Sequence, residues 1–496
     1  MNSPAYLTKN RYMNGLTCNK MLWLGSHAPA SYSEPRHGFS QDAGSEVGLR
    51  AQLLFPGGVL VGEAPWEHGP AVEHTRDLMA DPEVQAIFEA AYEFGDIRIR
   101  VDIMERLGDN IWGLREVKSS SRVKRSYVND VGVQLYVLQG LDIEVPSVEI
   151  LHINNAYTLG EKGIHWPSLF TRADLTQEAT DACHGVDESS AYLLNILANK
   201  NQPAIIAGKQ CPSNCNYWSH CTQDMPEDWI DRLPQLSKVK FEELSDQGVG
   251  SIREIPDDYK LNNIQRRVRK VWLDDKPYIS SGLPEALRDL ALPASYLDFE
   301  TMSPAIPLYP ETRPFQRTPF QWSLHHVNQD GKAMHEEFLA LGDINPTLEF
   351  VTTLIDALVG TDGPIVVYSS FEKSTLNNIS EQLPDFAIDI QSIIDRLVDL
   401  LPIVRENTYF RDYNGSFSIK TVTPVLAPHL SYKKLDHVAD GLAASSAFGR
   451  IASGELLPNE DATSLRSALL EYCKMDTLAM VEIHKKLLSI YSQPIS

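Results

Sequence analysis

Apolar and polar residues take turns along IRIRVDIMERLGDNIWGLREVK, and the turn signal Gly108-Asp109-Asn110 divides the stretch into two predicted strands of a hairpin. Side chains in a strand alternate faces, so Glu116 and Lys118 at i and i+2 point the same way, and Asp102 reaches them across the hairpin. NDVGVQLYVLQ then reads as a helix carrying Gln134 and Tyr136. In the second half ASYLDFET is β-rich and sets Asp298 and Glu300 on one face. FQWSLHHV and MHEEFLAL predict two more strands, TLEFVTTLIDALV an amphipathic helix, and GPIVVYSS a buried apolar strand. That strand runs into FEKSTLNNISEQL, whose helical start holds Glu372, while Asp399 in VDLLPIV marks a further strand rather than a site residue. LRSALLEYCKMDTLAMVEIHKKLLSIY has apolar residues at helical spacing and places Tyr472 and Asp476, four apart, on one face.

Composition adds limits. A chain of 496 residues with 43% hydrophobic residues has core enough for two domains or more. With 44 basic and 66 acidic residues the net charge is −22, so a polyanion can be held only through local basic patches and metal ions. Two basic patches stand out: Arg266, Arg267, Arg269 and Lys270 beside Trp272, and Arg122, Lys124 and Arg125 shortly after Lys118. Between the two halves, LPQLSKVKFEELSDQGVGSIREIP gives two short helical patterns around Gly248-Val249-Gly250, similar to helix-hairpin-helix elements whose backbone amides hold a phosphate without reading sequence. The start of the chain has no apolar leader core and no run of eighteen apolar residues occurs, which places the chain in a reducing cytoplasm.

Six cysteines in so long a chain form no disulfide framework, and Cys183 and Cys473 fall in helical stretches as buried thiols. The other four are a local trio, Cys211, Cys215 and Cys221, and the distant Cys18. Structural zinc sites usually pair two short arms, whereas one remote thiolate with a trio suits an iron–sulfur cluster; zinc is the alternative. Asp102, Glu116 and Lys118 put two carboxylates and an ammonium around one point. Such a group can hold a hard divalent cation, place a water and steady a phosphoryl transition state, although alone it is more simply a pair of solvated salt bridges.

Taken together, these motifs over about the first 225 residues resemble the PD-(D/E)xK nucleases of the RecB-like branch, in particular the iron–sulfur nucleases related to AddB and to the CRISPR-associated adaptation nucleases. The resemblance implies a [4Fe-4S] cluster on Cys18, Cys211, Cys215 and Cys221, metal on Asp102 and Glu116, and catalytic roles for Lys118, Gln134 and Tyr136. Two features depart from it: QDAGSEVGLRAQLLFPGG lacks the first-helix His, leaving Glu46 as its replacement, and three residues rather than two separate Cys211 from Cys215. The second half resembles the RNase H-like exonucleases of the DnaQ or DEDD class, which implies Asp298, Glu300, Glu372 and Asp476 as metal ligands and Tyr472 as the group that orients water. Glu372 departs from the Asp usual there. SFSIKTVTPVLAPHLSYKKL and the later Tyr472-Cys473 segment also resemble an uncharacterised bacterial family often fused behind the iron–sulfur nuclease.

The expected fold class is α/β. Residues 1–225 form a PD-(D/E)xK restriction-endonuclease-like domain with an Fe–S cluster, 226–292 a short helical connector, and 293–496 an RNase H-like α/β domain. The expected activity is metal-dependent cleavage of nucleic acid, DNA with free ends or single strands, using Mg²⁺ or Mn²⁺ at two sites. The alternative is a nucleic-acid-binding or defence scaffold in which one or both folds are inactive.

Overall fold

The computed structural model describes residues 6–29, 32, 39–212, 215–432, 438 and 440–492, without the side chains of 39–43 and 491–492. Of the segments read above, the first five residues, Ser213 and Asn214 in the cysteine trio, and Lys433, Lys434 and Leu435 at the end of SFSIKTVTPVLAPHLSYKKL lie outside the described residues. The chain divides into two compact units. Unit 1 comprises Met1–Ala207, Cys211–Gln223 and Pro304–Phe315; unit 2 comprises Gly208–Gln210, Asp224–Ser303 and Gln316–Ser496. The stretch 226–292, expected as a separate connector, therefore belongs to unit 2.

Unit 1 is built on seven strands: β1 (Leu7–Thr8), β2 (Val59–Leu60), β3 (Ala86–Phe94), β4 (Ile97–Gly108), β5 (Ile111–Lys118), β6 (Glu144–Ile153) and β7 (Phe170–Asp174). Their order is β2-β3-β4-β5-β6-β7, with β1 parallel to β4. The predicted hairpin is β4–β5, and Asn110 takes the positive φ (54°) that its turn requires. Because β5 and β6 are parallel they need a crossover, which is the helix Arg125–Gly140. On β5, Trp112 and Leu114 share a core with Val131, Leu135 and Leu138 of that helix. Two and four residues on, Glu116 and Lys118 keep the same face, so the acid site begins where this core ends.

Unit 2 holds β8 (Tyr278–Ile279), β9 (Ala294–Met302), β10 (Thr318–Val327), β11 (Ala333–Leu339), β12 (Ile365–Val367), β13 (Leu397–Asp399) and β14 (Thr408–Tyr409). Five form a sheet in the order β11-β10-β9-β12-β13, in which β10 is antiparallel to both neighbours and β12 runs parallel to β9 and β13; β8 and β14 pair separately. On the central strand β9, Leu297 and Phe299 enter a core with Phe350, Val351 and Leu354 of the helix Thr347–Leu358. The opposite face presents Tyr296, Asp298 and Glu300 toward the long helix Ala462–Ser492.

Of the two helical patterns around Gly248, only Lys238–Asp246 is an α-helix; the second is a single 3₁₀ turn, Ile252–Glu254. Pro256 explains this, since a proline forces the residue before it, here Ile255, out of helical geometry (φ −57°, ψ 126°). In the basic run on the helix Asn263–Asp274 the three arginines have partners within the unit, while Lys270 is exposed. Arg266 donates to the Leu261 carbonyl (2.6 Å), Arg269 to Asp257 (2.7 Å) and the Ile255 carbonyl (2.6 Å), and Arg267 to the Glu406 carbonyl and carboxylate. By contrast Arg122, Lys124 and Arg125 of unit 1 are exposed. Among the described residues no helix is long and apolar enough to cross a membrane.

Two candidate metal centres

In unit 2 the i, i+2 spacing on β9 and the i, i+4 spacing on the long helix converge. Asp298, Glu300 and Asp476 place one donor oxygen each within 4.8 Å of the others. Glu372, in the first turn of the helix Phe371–Gln382, is buried, and its Oε2 has no hydrogen-bond partner. Asp298, Glu372 and Asp476 line a cleft of about 480 Å³ whose wall also carries Tyr368, Arg405 and Ser418. Tyr472 is buried and faces the charges of Asp476, Glu300 and Asp298.

Crowding with little counter-charge pushes these acids up. Burial, then the charge of Asp476, raises Glu300 to about 8, with Lys420 pulling the other way. Burial lifts Glu372 to about 7, aided by Asp399 and Asp476. Asp298 lies well above the carboxylate range through burial and the charges of Asp476, Glu300 and Glu372. Asp476 is raised by burial, against a 2.7 Å hydrogen bond from the Tyr432 hydroxyl. An orphaned buried oxygen on Glu372 and a set of hard oxygen donors fit a divalent cation.

Sequence reasoning placed Asp298, Glu300, Glu372, Tyr472 and Asp476 together but missed Tyr432, Lys420 and Asp440, whose charge also reaches Glu300. Lys420 and Tyr432 lie within SFSIKTVTPVLAPHLSYKKL, the polar positions of which carry the signal. Asp399 serves a backbone role, capping the helix Leu400–Asn407 by accepting from the Leu401 amide (2.9 Å).

Unit 1 brings Asp102, Glu116, Lys118 and Gln134 together. Extending the Ile103–Arg115 pairing by one step sets Asp102 opposite Glu116, and Asp102 Oδ2 accepts from the Val117 amide (2.7 Å). Glu116, 2% exposed, accepts from Lys118 (2.7 Å), Gln134 (2.8 Å) and, through both oxygens, Lys9 (2.8 and 3.0 Å). Burial alone would raise Glu116, but Lys9 and Lys118 overcome it and hold it at about 2. Asp102 goes the other way, to about 7, through burial and the Glu116 charge. Asp130, four residues before Gln134 and so on its helix face, accepts from Lys118 (2.7 Å) and was missed despite that spacing.

Tyr136 does not join this group. Two residues beyond Gln134 is about 200° around a helix, and its hydroxyl donates to Asp187 (3.2 Å) instead. Glu46, the stand-in for the absent His, is 42% exposed at its side chain and pairs with Arg50 one turn on (3.5 Å).

None of the six cysteines is in a disulfide, and Cys183 and Cys473 are buried. Cys18 ends the helix Lys9–Thr17. Burial raises the Cys221 thiol, against the pull of Lys20 and with the charges of Cys215, Cys18 and Cys211 acting on it, so the four sulfurs share one neighbourhood. Among the described residues no three thiols lie within 4.8 Å of one another.

Within the mixed α/β architecture, residues 295–418 match a domain of unknown function, DUF2779. The match includes Asp298, Glu300 and Glu372 and stops before Tyr472, largely ahead of the segment on which the uncharacterised-family resemblance rested. The chain is also similar to the uncharacterized protein MG366 of Mycoplasma genitalium (25% identical over 236 residues, 43% of this chain and 35% of that protein) and to the MG366 homolog of Mycoplasma pneumoniae (26% over 234 residues, with the same shares). It thus spans 35% of the length of these curated relatives.

Proposed function

We propose that the chain is a metal-dependent nuclease that hydrolyses phosphodiester bonds, with the unit 2 centre acting as a 3′-5′ exonuclease on DNA with free ends. One observation carries the reading: Asp298, Glu300 and Asp476 converge within 4.8 Å, with Glu372 and Tyr472 beside them. The succession of three antiparallel strands, a helix, a parallel strand and a helix supports the RNase H-like part of it. When bound, Mg²⁺ or Mn²⁺ would activate water and neutralise charge on the scissile phosphate. Asp298, Glu300, Glu372 and Asp476 would hold the ions. Tyr472 would orient the attacking water, Tyr432 fix Asp476, and Arg405 on the cleft wall contact a phosphate oxygen.

For unit 1 the same class of reaction is proposed, with Asp102 and Glu116 as ligands, Lys118 at the phosphate or water, and the exposed Arg122, Lys124 and Arg125 along the nucleic-acid backbone. Both oxygens of Glu116 are engaged by Lys9, which favours the alternative that this unit binds without cutting. Cys18, Cys211, Cys215 and Cys221 would hold a structural [4Fe-4S] cluster.

The test is cleavage of end-labelled single- and double-stranded DNA and RNA by anaerobically purified protein with Mg²⁺, Mn²⁺ or EDTA, comparing Asp102→Ala, Asp298→Ala and the double variant. Loss of a distinct product set in each single variant supports two active centres. Binding with no cleavage under any metal condition defeats the enzymatic reading and leaves a scaffold. Iron content and visible absorbance test the cluster.

A further inference from the structure

We propose that Lys9 is a working part of the unit 1 centre, a resident cation that takes the place of a second metal ion, so that the centre holds one divalent ion rather than two. The inference rests on reading unit 1 as a metal site.

Lys9 begins the helix Lys9–Thr17, 107 residues from Glu116 in the chain, and its side chain is 18% exposed. Its ammonium lies 2.8 and 3.0 Å from the two oxygens of Glu116 and 3.4 Å from Asp130 Oδ1. Glu116 Oε1 therefore serves Lys9 and Lys118, and Oε2 serves Lys9 and Gln134. An ion that uses Glu116 has to draw an oxygen away from Lys9.

Charge sets the number of ions. The register of β3 on β4, with Phe88 opposite Ile103 and Ala90 opposite Val101, puts Glu89 across from Asp102. Glu89 takes a left-handed backbone (φ 55°) inside a strand, a conformation that a residue with a Cβ holds only when its surroundings impose it. Against Glu89, Asp102, Glu116 and Asp130 the centre sets three cations of its own, Lys9, Lys118 and, beside Glu89, Arg100. With so much of the acidic charge already matched, little is left to hold a second divalent ion.

A second observation points to a missing ligand. Gln134 is fully buried and gives its amide N–H groups to Glu116 and Asp130, yet its Oε1 has no hydrogen-bond partner. A buried carbonyl oxygen left open amid carboxylates is a ready partner for a cation or its water.

The experiment is Mn²⁺ titration of the full-length chain by electron paramagnetic resonance, in an Asp298→Asn/Asp476→Asn background that silences unit 2. Asp102→Asn identifies the unit 1 ions. The expected result is one unit 1 ion in the parent, bound about tenfold more tightly after Lys9→Met, since one repelling charge is gone. Lys9→Arg keeps the charge and should keep the parent affinity, and Lys9→Gln, which retains a donor toward Glu116, should tighten binding as Lys9→Met does. Two unit 1 ions in the parent, or Met and Gln isotherms that superpose on the parent, overturn the proposal. If neither parent nor variants bind Mn²⁺ at Asp102, the metal reading of unit 1 falls with it; if Mn²⁺ binds there without any Lys9 effect, only the Lys9 proposal falls. Should Lys9→Met fail to fold, Gln and Arg decide the outcome.

Discussion

The two acid clusters solve one electrostatic problem in opposite ways. In unit 1, two lysine ammoniums stand among the carboxylates and keep the almost wholly buried Glu116 ionised, although burial still raises Asp102 beside it. In unit 2, Asp298, Glu300 and Asp476 crowd together, Lys420 opposes them, and all three are pushed toward the protonated form. Buried charges persist when paired and shift their pKa when they are not. A cluster with its own cations can hold its shape without an ion; a cluster without them calls for ions from outside.

The contrast can be broken by mutation. The largest expected effect is in unit 2, where Asp298→Asn or Asp476→Asn should reduce 3′-5′ trimming of an end-labelled strand to background. Next, Glu116→Gln should destabilise unit 1 by about 3–5 kcal/mol, because it leaves Lys9 and Lys118 short of a partner. Glu300→Gln in EDTA should leave unit 2 as stable or make it more so; hydrogen exchange across denaturant reads both units separately, and equal losses in the two would erase the distinction. Tyr472→Phe should lower kcat about 10²-fold with little change in KM, seen in steady-state kinetics. Tyr432→Phe, which frees Asp476 without touching the substrate, should weaken Mn²⁺ binding about tenfold, measured by titration calorimetry.

The smallest effect is on pH dependence. Glu300 at about 8 and Glu372 at about 7 lie above the ordinary 4.5, so the folded chain keeps protons that the unfolded chain releases. This stabilisation is complete below about 4.5 and is lost as pH rises through 7 to 8. In EDTA the unit 2 melting temperature should fall by a few degrees, roughly, between pH 5 and pH 8, and saturating Mg²⁺ should remove the slope. A melting temperature that rises over the same range would reverse the assignment of these acids.

Much of this was legible where chemistry follows local spacing. The i, i+2 rule on β9 and the i, i+4 rule on the last helix found Asp298, Glu300, Tyr472 and Asp476, and the hairpin turn found Asp102, Glu116 and Lys118. Lys9 was not legible, because its partner Glu116 is 107 residues away and only the fold joins them. The partners of the basic run before Trp272 were hidden for the same reason: Arg267 pairs with Glu406, 139 residues on. Tyr136 shows the limit of order without geometry, since its place after Gln134 in the chain turned it toward Asp187.

The helix Lys9–Thr17 has a mechanical consequence. Its first residue grips Glu116 and its C-cap is Cys18, so a rod of about 14 Å links the acid cluster to the thiols. The rod is clamped along its side, where Tyr12 bonds Ser189 (2.7 Å) and Gly15 lies so close to Leu193 that a Cβ there would come within 2.6 Å of it. A rod clamped along its side keeps its position without help from its far end. Lys9 is therefore held against Glu116 by the packing of its own helix, and a change at Cys18 should leave that contact in place.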